Sequence, residues 1–279
     1  VPDLTPEVPS ALSPLVRRVV ANNPSLMTGP GTNTYLVGID EVAVIDPGPA
    51  ITKHADAIVG ASMRERVRWV LLTHTHPDHW PAAQKIQKLT GAQIAGFSPF
   101  PKADEVTVEL DLVLGDGDTI DGTEFRLEAM HTPGHAPNHL CFWLDEERVL
   151  FTGDHVLNGT TTVVNPQRGG DMKEYLASLD RLRKLKRIAR ICPGHGDVME
   201  DPKAVLDEYV AHRKLRERQI LKLLKEQPRT IKRIVDVLYT DTPDGLIEMA
   251  QHQVHAHLIK LKNEGKVQGG AVKSSWKLA

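Results

Sequence analysis

The sequence predicts a mixed α/β domain followed by a small winged-helix domain. Three observations carry this. Short β-prone runs bounded by Gly, Pro or Asp recur from about residue 18 to residue 192, amphipathic helical stretches separate some of them, and past residue 204 the pattern changes to three helices and a glycine-broken hairpin. Short apolar runs closed by turn residues read as buried strands.

Taken in order, residues 1–14 carry Pro2, Pro6, Pro9 and Pro14, a density that forbids a helix and suggests an extended arm. Strands are expected at 34–37, 42–45, 67–72, 124–127, 140–143, 148–151 and 188–192. A helix is expected over 52–63, and another over 81–89 that ends at Thr90-Gly91. A third begins at Asp171 as N-cap and carries Met172, Tyr175, Leu176, Leu179, Leu182 and Leu185 on one stripe. These elements make a first domain over residues 1–204. Pro202 opens a long helix running to Lys225, and Thr230 caps a short one with Ile231, Ile234, Val235 and Leu238 on one face. A last helix spans 245–263 and stops at Gly265. Gly269-Gly270 then suits the tight turn of a hairpin between 266–268 and 272–278. Residues 205–279 are the expected winged helix.

Composition narrows the class. The chain has 279 residues, 41% hydrophobic and 25% charged, as in a globular protein with one large core and a small extra domain. A net charge of −2 gives no whole-protein attraction to nucleic acid or anionic membrane. No apolar run approaches a membrane span, so no membrane partner is expected. Cys141 and Cys192 both lie in apolar, strand-like stretches, which excludes a disulfide framework. With no charged-then-apolar signal segment in view, the expected setting is cytoplasmic.

Four segments concentrate the chemistry. They are Thr73-His74-Thr75-His76-Pro77-Asp78-His79, Thr132-Pro133-Gly134-His135, Phe151-Thr152-Gly153-Asp154-His155 and Pro193-Gly194-His195-Gly196. Each is expected just after a strand, where a rigid sheet can hold a loop in place. Neutral imidazole and carboxylate are the ligands that zinc and similar ions take. Residues two apart on extended backbone point the same way, so His74 and His76 face one side. The chain turns at Pro77 and brings Asp78 and His79 into the same space, while His135, Asp154 and His195 complete the set. Asp154, with two carboxylate oxygens, suits a bridge between two ions.

This His-x-His-x-Asp-His run, followed by a further His, Asp and His, resembles the metallo-β-lactamase superfamily. The resemblance implies an αββα sandwich with metals at one edge. It implies that His74, His76 and His135 hold one zinc, that Asp78, His79 and His195 hold a second, and that Asp154 bridges them; iron or manganese are alternative metals. Gly29-Pro30-Gly31-Thr32-Asn33-Thr34-Tyr35, the Thr-Gly-Asp-His at 152–155 and the C-terminal winged helix resemble the lactamase-β-2-like, endoribonuclease-like group.

The implied function is dinuclear zinc hydrolysis by a metal-bridging hydroxide, with Asp78 also orienting the nucleophile as a catalytic residue. Bound metal lowers the pKa of water to about 7. The expected substrates are a single-stranded RNA phosphodiester or a small-molecule thioester, lactone or β-lactam. Two alternatives stand beside this: a mononuclear iron oxidoreductase like the persulfide dioxygenases, and a non-catalytic nucleic-acid-binding protein. His131, His139 and His155 adjoin the ligand segments and read as supporting or solvent-facing groups. The basic residues of the winged helix, among them Arg213, Lys214, Arg216, Arg218 and Lys222, suit solvated faces, nucleic-acid contact, a cover for the site or a homodimer.

Overall fold

The protein is described by a computed structural model that covers residues 4–270 and 273–279. By compactness the chain divides into two units. The first comprises residues 1–132, 138–162 and 186–202, and the second residues 133–137, 163–185 and 203–279. The expected boundary at 204 follows chain order, whereas the second unit also takes in two upstream segments.

The first unit contains a seven-stranded sheet in the order β1 (Ser10–Ala11), β2 (Val16–Val20), β3 (Asn33–Val37), β4 (Glu41–Ile45), β5 (Arg66–Leu71), β6 (Gln93–Gly96) and β7 (Leu112–Val113). Pairing is antiparallel from β1 to β4 and parallel from β4 to β7. A five-stranded sheet is built from β8 (Thr119–Asp121), β9 (Arg126–His131), β10 (Leu140–Leu144), β11 (Val149–Gly153) and β12 (Arg190–Pro193). The β11–β12 pair is parallel and the others are antiparallel.

The two sheets face each other across one core. Val37, Ile45 and Leu71 of the first sheet pack in a single cluster with Leu127, Phe142 and Phe151 of the second. Tyr35 and Phe151 meet in it with ring centroids 5.1 Å apart. The other face of the first sheet is covered by α1 (Thr52–Ala61) and α2 (Ala83–Thr90), where Ala55, Ile58, Ala83 and Ile86 pack on Leu36, Val44 and Val70. Both faces of β3 and β4 are thus buried, which is why they read as unbroken apolar runs.

The second unit holds α3 (Met172–Leu182), α4 (Pro202–Glu226), α5 (Ile231–Leu238) and α6 (Ile247–Asn263). It also holds a three-stranded sheet of β13 (Arg229–Thr230), β14 (Val267–Gln268) and β15 (Ser275–Leu278), ordered β13-β15-β14. Asp171 caps α3 by accepting from Lys173 N and Glu174 N, and Thr230 caps α5 by accepting from Arg233 N. Both caps are those the sequence suggests. Ile220, Ile234, Val254, Leu258, Leu261 and Trp276 form the core of the three-helix, three-strand portion.

Some elements differ from expectation. Residues 126–131 form the strand expected at 124–127. Glu128 and His131 interrupt the apolar run there and hide its length. The strand at Val16–Val20 is missed because Arg17 and Arg18 break its pattern. Arg18 is nevertheless fully buried, its charge met by Asp197 at 3.0 Å. Within residues 4–14 of the expected arm, Ser10 and Ala11 pair with Arg18 and Arg17, while residues 1–3 lie outside the described residues. So does Val272, where the last hairpin strand was expected to begin; β15 starts at Ser275. Among the described residues no helix is long and apolar enough to cross a membrane. Cys141 and Cys192 are buried free thiols, and burial pushes Cys192 up to about 12.

Candidate metal centre

Each of the four ligand-type segments leaves a strand end: 73–79 after β5, 132–135 after β9, 154–155 after β11 and 194–196 after β12. Six of the seven candidate ligands belong to the first unit and converge there. His74, His76 and Asp154 form one group, and Asp78, His79 and His195 another, with the ligand atoms inside each group lying within 4.8 Å of one another. His195 Nε2 lies 3.1 Å from Asp78 Oδ2 and 3.3 Å from Asp154 Oδ1. His79 Nε2 lies 3.3 Å from Asp154 Oδ1 and 3.6 Å from Asp78 Oδ2. Asp154 therefore faces both groups.

These separations test whether the residues suit a metal. Donors held about 2.0–2.1 Å from a tetrahedral ion stand roughly 3.3–3.4 Å from each other. The observed 3.1, 3.3, 3.3 and 3.6 Å fit that spacing. Space is kept by the absence of a side chain at position 194: a Cβ there would lie 2.7 Å from Asp154 Oδ1 and 2.9 Å from His79 Cε1.

The groups behind the imidazoles set which nitrogen carries the proton. Asp46 Oδ2 lies 2.8 Å from His79 Nδ1, so Nδ1–H donates and Nε2 keeps its lone pair. Thr73 Oγ1 gives its only proton to Asp46 Oδ2 at 2.7 Å. It must therefore accept from His74 Nδ1–H at 3.0 Å, which leaves the lone pair of His74 on Nε2. That Nε2 lies 2.9 Å from His76 Nδ1. The backbone carbonyl of Gly31 accepts from His195 Nδ1–H at 3.2 Å, which turns Nε2 toward Asp78 and Asp154. His135 stands in the second unit on the loop 133–137, and its Nδ1–H donates to Val163 O at 2.6 Å. In all four rings Nδ1–H is held by an acceptor, so Nε2 is the nitrogen that would face an ion.

Electrostatics follow from the crowding of unlike charges. Burial disfavours a charged His195, but Asp154 and then Asp78 overcome it and raise the ring to about 9. Burial also opposes a charged His79; Asp78, Asp154 and Asp46 overcome it and raise that ring well above its usual range. Burial alone would raise the Asp78 carboxyl, yet the His79 charge and the His195 hydrogen bond hold it at about 2. Asp154 is likewise driven well down against its own burial, chiefly by His195 and His79. The buried carboxylates thus favour positive charge among these groups, which a divalent cation would also supply.

Asp46 is the main functional group that the sequence reading missed. It follows β4, is buried, and sits at a φ of 49°, a left-handed conformation that Asp tolerates better than most residues. Its carboxylate accepts from Thr73 N at 2.8 Å as well as from Thr73 Oγ1 and His79. The available signal was an Asp directly after the apolar run 42–45 and before Pro47-Gly48, a strand-end position like that of Asp154. His139 is fully buried and bonded to Thr132 Oγ1 at 2.9 Å, as a supporting group would be. His131 stacks on Phe97 with centroids 4.0 Å apart.

A two-sheet core that delivers imidazoles and carboxylates from its strand ends defines a metal-binding α/β protein. Comparison with known proteins narrows this. Residues 27–195 match the metallo-beta-lactamase superfamily, and residues 230–276 match the beta-lactamase associated winged helix domain. The chain is 35% identical over 277 residues to a beta-lactamase-like protein 2 homolog of Caenorhabditis elegans, covering 96% of this chain and 91% of that protein. It is 33% identical over 281 residues to an atrochrysone carboxyl ACP thioesterase of Cryptosporiopsis sp. (strain 8999), covering 92% and 82%. A metallo-beta-lactamase family protein from Thermus thermophilus superposes with a TM-score of 0.78 at 26% identity, covering 96% of this chain and all of that one. The chain belongs to the metallo-β-lactamase superfamily. It is a hydrolase with the metallo-β-lactamase fold, followed by a C-terminal winged-helix domain.

Proposed function

We propose that this hydrolase uses two zinc ions to cleave a thioester of a small carrier-linked or coenzyme-linked acyl group. His74, His76 and His135 would hold one ion, Asp78, His79 and His195 the other, with Asp154 shared; residues 1–204 would be the catalytic domain. The observation that supports this most is the spacing of Asp78, His79, Asp154 and His195, whose donor atoms stand 3.1–3.6 Å apart with defined tautomers behind them. When bound, divalent ions there supply Lewis acidity and acidify water to a pKa of about 7.

The chain's own groups do the rest. Asp78 stays ionised and is about a quarter exposed, so it can accept a hydrogen bond from the attacking water and orient it. Asp46 and Gly31 O hold the imidazoles of His79 and His195. The thioester class is favoured by the thioesterase relatives, which share more than 80% of their length with this chain in the Cryptosporiopsis case. A second complete donor set, with its own buttress on Asp46, favours two ions over the single iron of the dioxygenase reading.

The test is hydrolysis of an acyl-pantetheine thioester, single-stranded RNA, a lactone and a cephalosporin by metal-quantified protein, beside its Asp154→Asn and His76→Ala variants. The expected result is thioester turnover with two zinc per chain, reduced at least about 10³-fold in either variant, the scale of several kcal/mol of charge stabilisation. RNA as the only substrate cleaved would overturn the thioester assignment, and near-native turnover in either variant would overturn the site.

A further inference from the structure

We propose that Gln253 on α6 is a positioning residue for the imidazole of His135. This rests on the reading of His135 as a ligand.

The observations form one continuous path inside the second unit. The loop 133–137 is short and lies flat on the start of α3. A Cβ at Gly134, whose φ is 133°, would meet Tyr175 Cα at 2.3 Å, so no other residue fits there without displacing the helix. Asp171 N donates to Gly134 O at 2.9 Å and Ser178 Oγ donates to Pro133 O at 2.9 Å. The backbone before and after Gly134 is thereby fixed. The ring of His135 is fixed separately, by donation from Nδ1 to Val163 O at 2.6 Å. The direction of that carbonyl depends on the peptide joining Val163 to Val164, and the N–H of the same peptide donates to Gln253 Oε1 at 2.9 Å. One peptide plane therefore accepts from the imidazole at its carbonyl end and is held by Gln253 at its amide end.

A peptide is planar and rigid, so a grip on its N–H fixes the direction of its C=O. Gln253 is a buried residue of α6. Here α6 packs on α3 and on the short turn Pro166–Arg168, with Gln253, Ala256 and His257 buried beside the core positions Val254 and Leu258. Arg213 of α4 lies over the Tyr175 ring at 5.1 Å, bracing α3 from the same module. The buried amide of Gln253 is 89 residues from Val164 in sequence. Val164 has its own amide as its only donor, so an apolar residue at 253 would leave that donor unmet in a buried setting.

The test compares Gln253→Met, which keeps volume and removes the strong acceptor, with Gln253→Glu, which keeps the acceptor. Zinc dissociation constants are measured by chelator competition, and the ligand field is read from the visible absorption of the cobalt(II)-substituted full chain. Q253M is expected to weaken zinc about tenfold, the lower end of what indirect ligand support contributes, and to shift the cobalt bands; Q253E is expected to stay within about twofold of the parent. An unchanged zinc constant and spectrum in Q253M would overturn the proposal, as would equal losses in both variants, since the effect would then follow packing and not the acceptor. A readout that needs no variant is hydrogen exchange of the Val164 amide in the parent protein. Zinc loading is expected to slow it at least about tenfold, because coupling between the two ends of the peptide is reciprocal, and no change would overturn the proposal. His135→Ala separates the two levels. Retained two-zinc binding in that variant refutes His135 as a ligand, whereas metal loss there together with a silent Q253M refutes only the role of Gln253.

Discussion

Two loops carry candidate histidines, and each is held in its own way within its own unit. The loop 73–79 is held from within its own sheet. Asp46, at the end of the neighbouring strand β4, accepts from Thr73 N, Thr73 Oγ1 and His79 Nδ1 at 2.7–2.8 Å. Within the helical unit the loop 133–137 is held by neutral groups: Asp171 N, Ser178 Oγ, the Tyr175 backbone and the Val163 carbonyl. The first arrangement concentrates support in one ionised residue, and the second distributes it over several weak contacts. A single substitution should therefore damage the first loop severely and the second only slightly.

The largest expected effect is at Asp46. Asp46→Ala leaves three buried donors unmet and removes a charge from a buried ion-paired set. The protein should lose about 3–5 kcal/mol of stability, and residual zinc affinity should fall about 10–100-fold. Urea denaturation and chelator competition measure the two. A loss below about 1 kcal/mol, the scale of one ordinary hydrogen bond, would mean that the carboxylate is not the keystone of this loop.

Next comes acid sensitivity, which compares the two units directly. Each contains a buried neutral histidine: His54, which lies 2.8 Å from Thr34 Oγ1 in the first unit, and His257 on α6. Burial lowers His54 to about 4, and burial, partly opposed by Glu217, lowers His257 to about 4. A lowered folded-state value means that the unfolded chain binds more protons between pH 6.5 and 4. Stability should therefore be full above about pH 6.5 and decline as pH falls through that window, by about 3 kcal/mol for each ring. Replacing either ring by a non-titrating residue, His54→Asn or His257→Asn, should flatten the corresponding part of the profile in denaturation scans from about pH 7 to about pH 4. A profile unaltered in both would show the rings to be charged in the folded state.

The smallest effect expected is at Ser178. Ser178→Ala removes one neutral hydrogen bond to the Pro133 carbonyl and should cost about 1 kcal/mol, with zinc content retained. A loss as large as that of Asp46→Ala would erase the contrast between the loops.

The candidate cluster was legible because coordination would demand particular side chains, and short loops between buried strands leave few positions for them. His74, His76, Asp78 and His79 are readable from one heptapeptide, since their mutual placement is local. The caps at Asp171 and Thr230 were equally local. Asp46 was not singled out, because nothing in Ile45-Asp46-Pro47 says which histidine lies beyond the next strand crossing. Arg18 concealed β2 for a related reason: its buried charge is acceptable only because Asp197, 179 residues later, neutralises it. Gln253 was invisible, since an amide on a helix in the last quarter of the chain carries no mark of the peptide it holds.

By itself the sequence determined the chemistry: which residue types offer lone pairs, that they follow strands, and that a winged helix ends the chain. Tertiary structure decided how those lone pairs are aimed. Tautomer and ring direction depend on hydrogen bonds to groups distant in sequence, and only the closed fold brings Asp46 to His79, Gly31 to His195 and Gln253 to the peptide behind His135. Local pattern encodes what a side chain can donate or accept, while the partner that fixes its direction is set by packing.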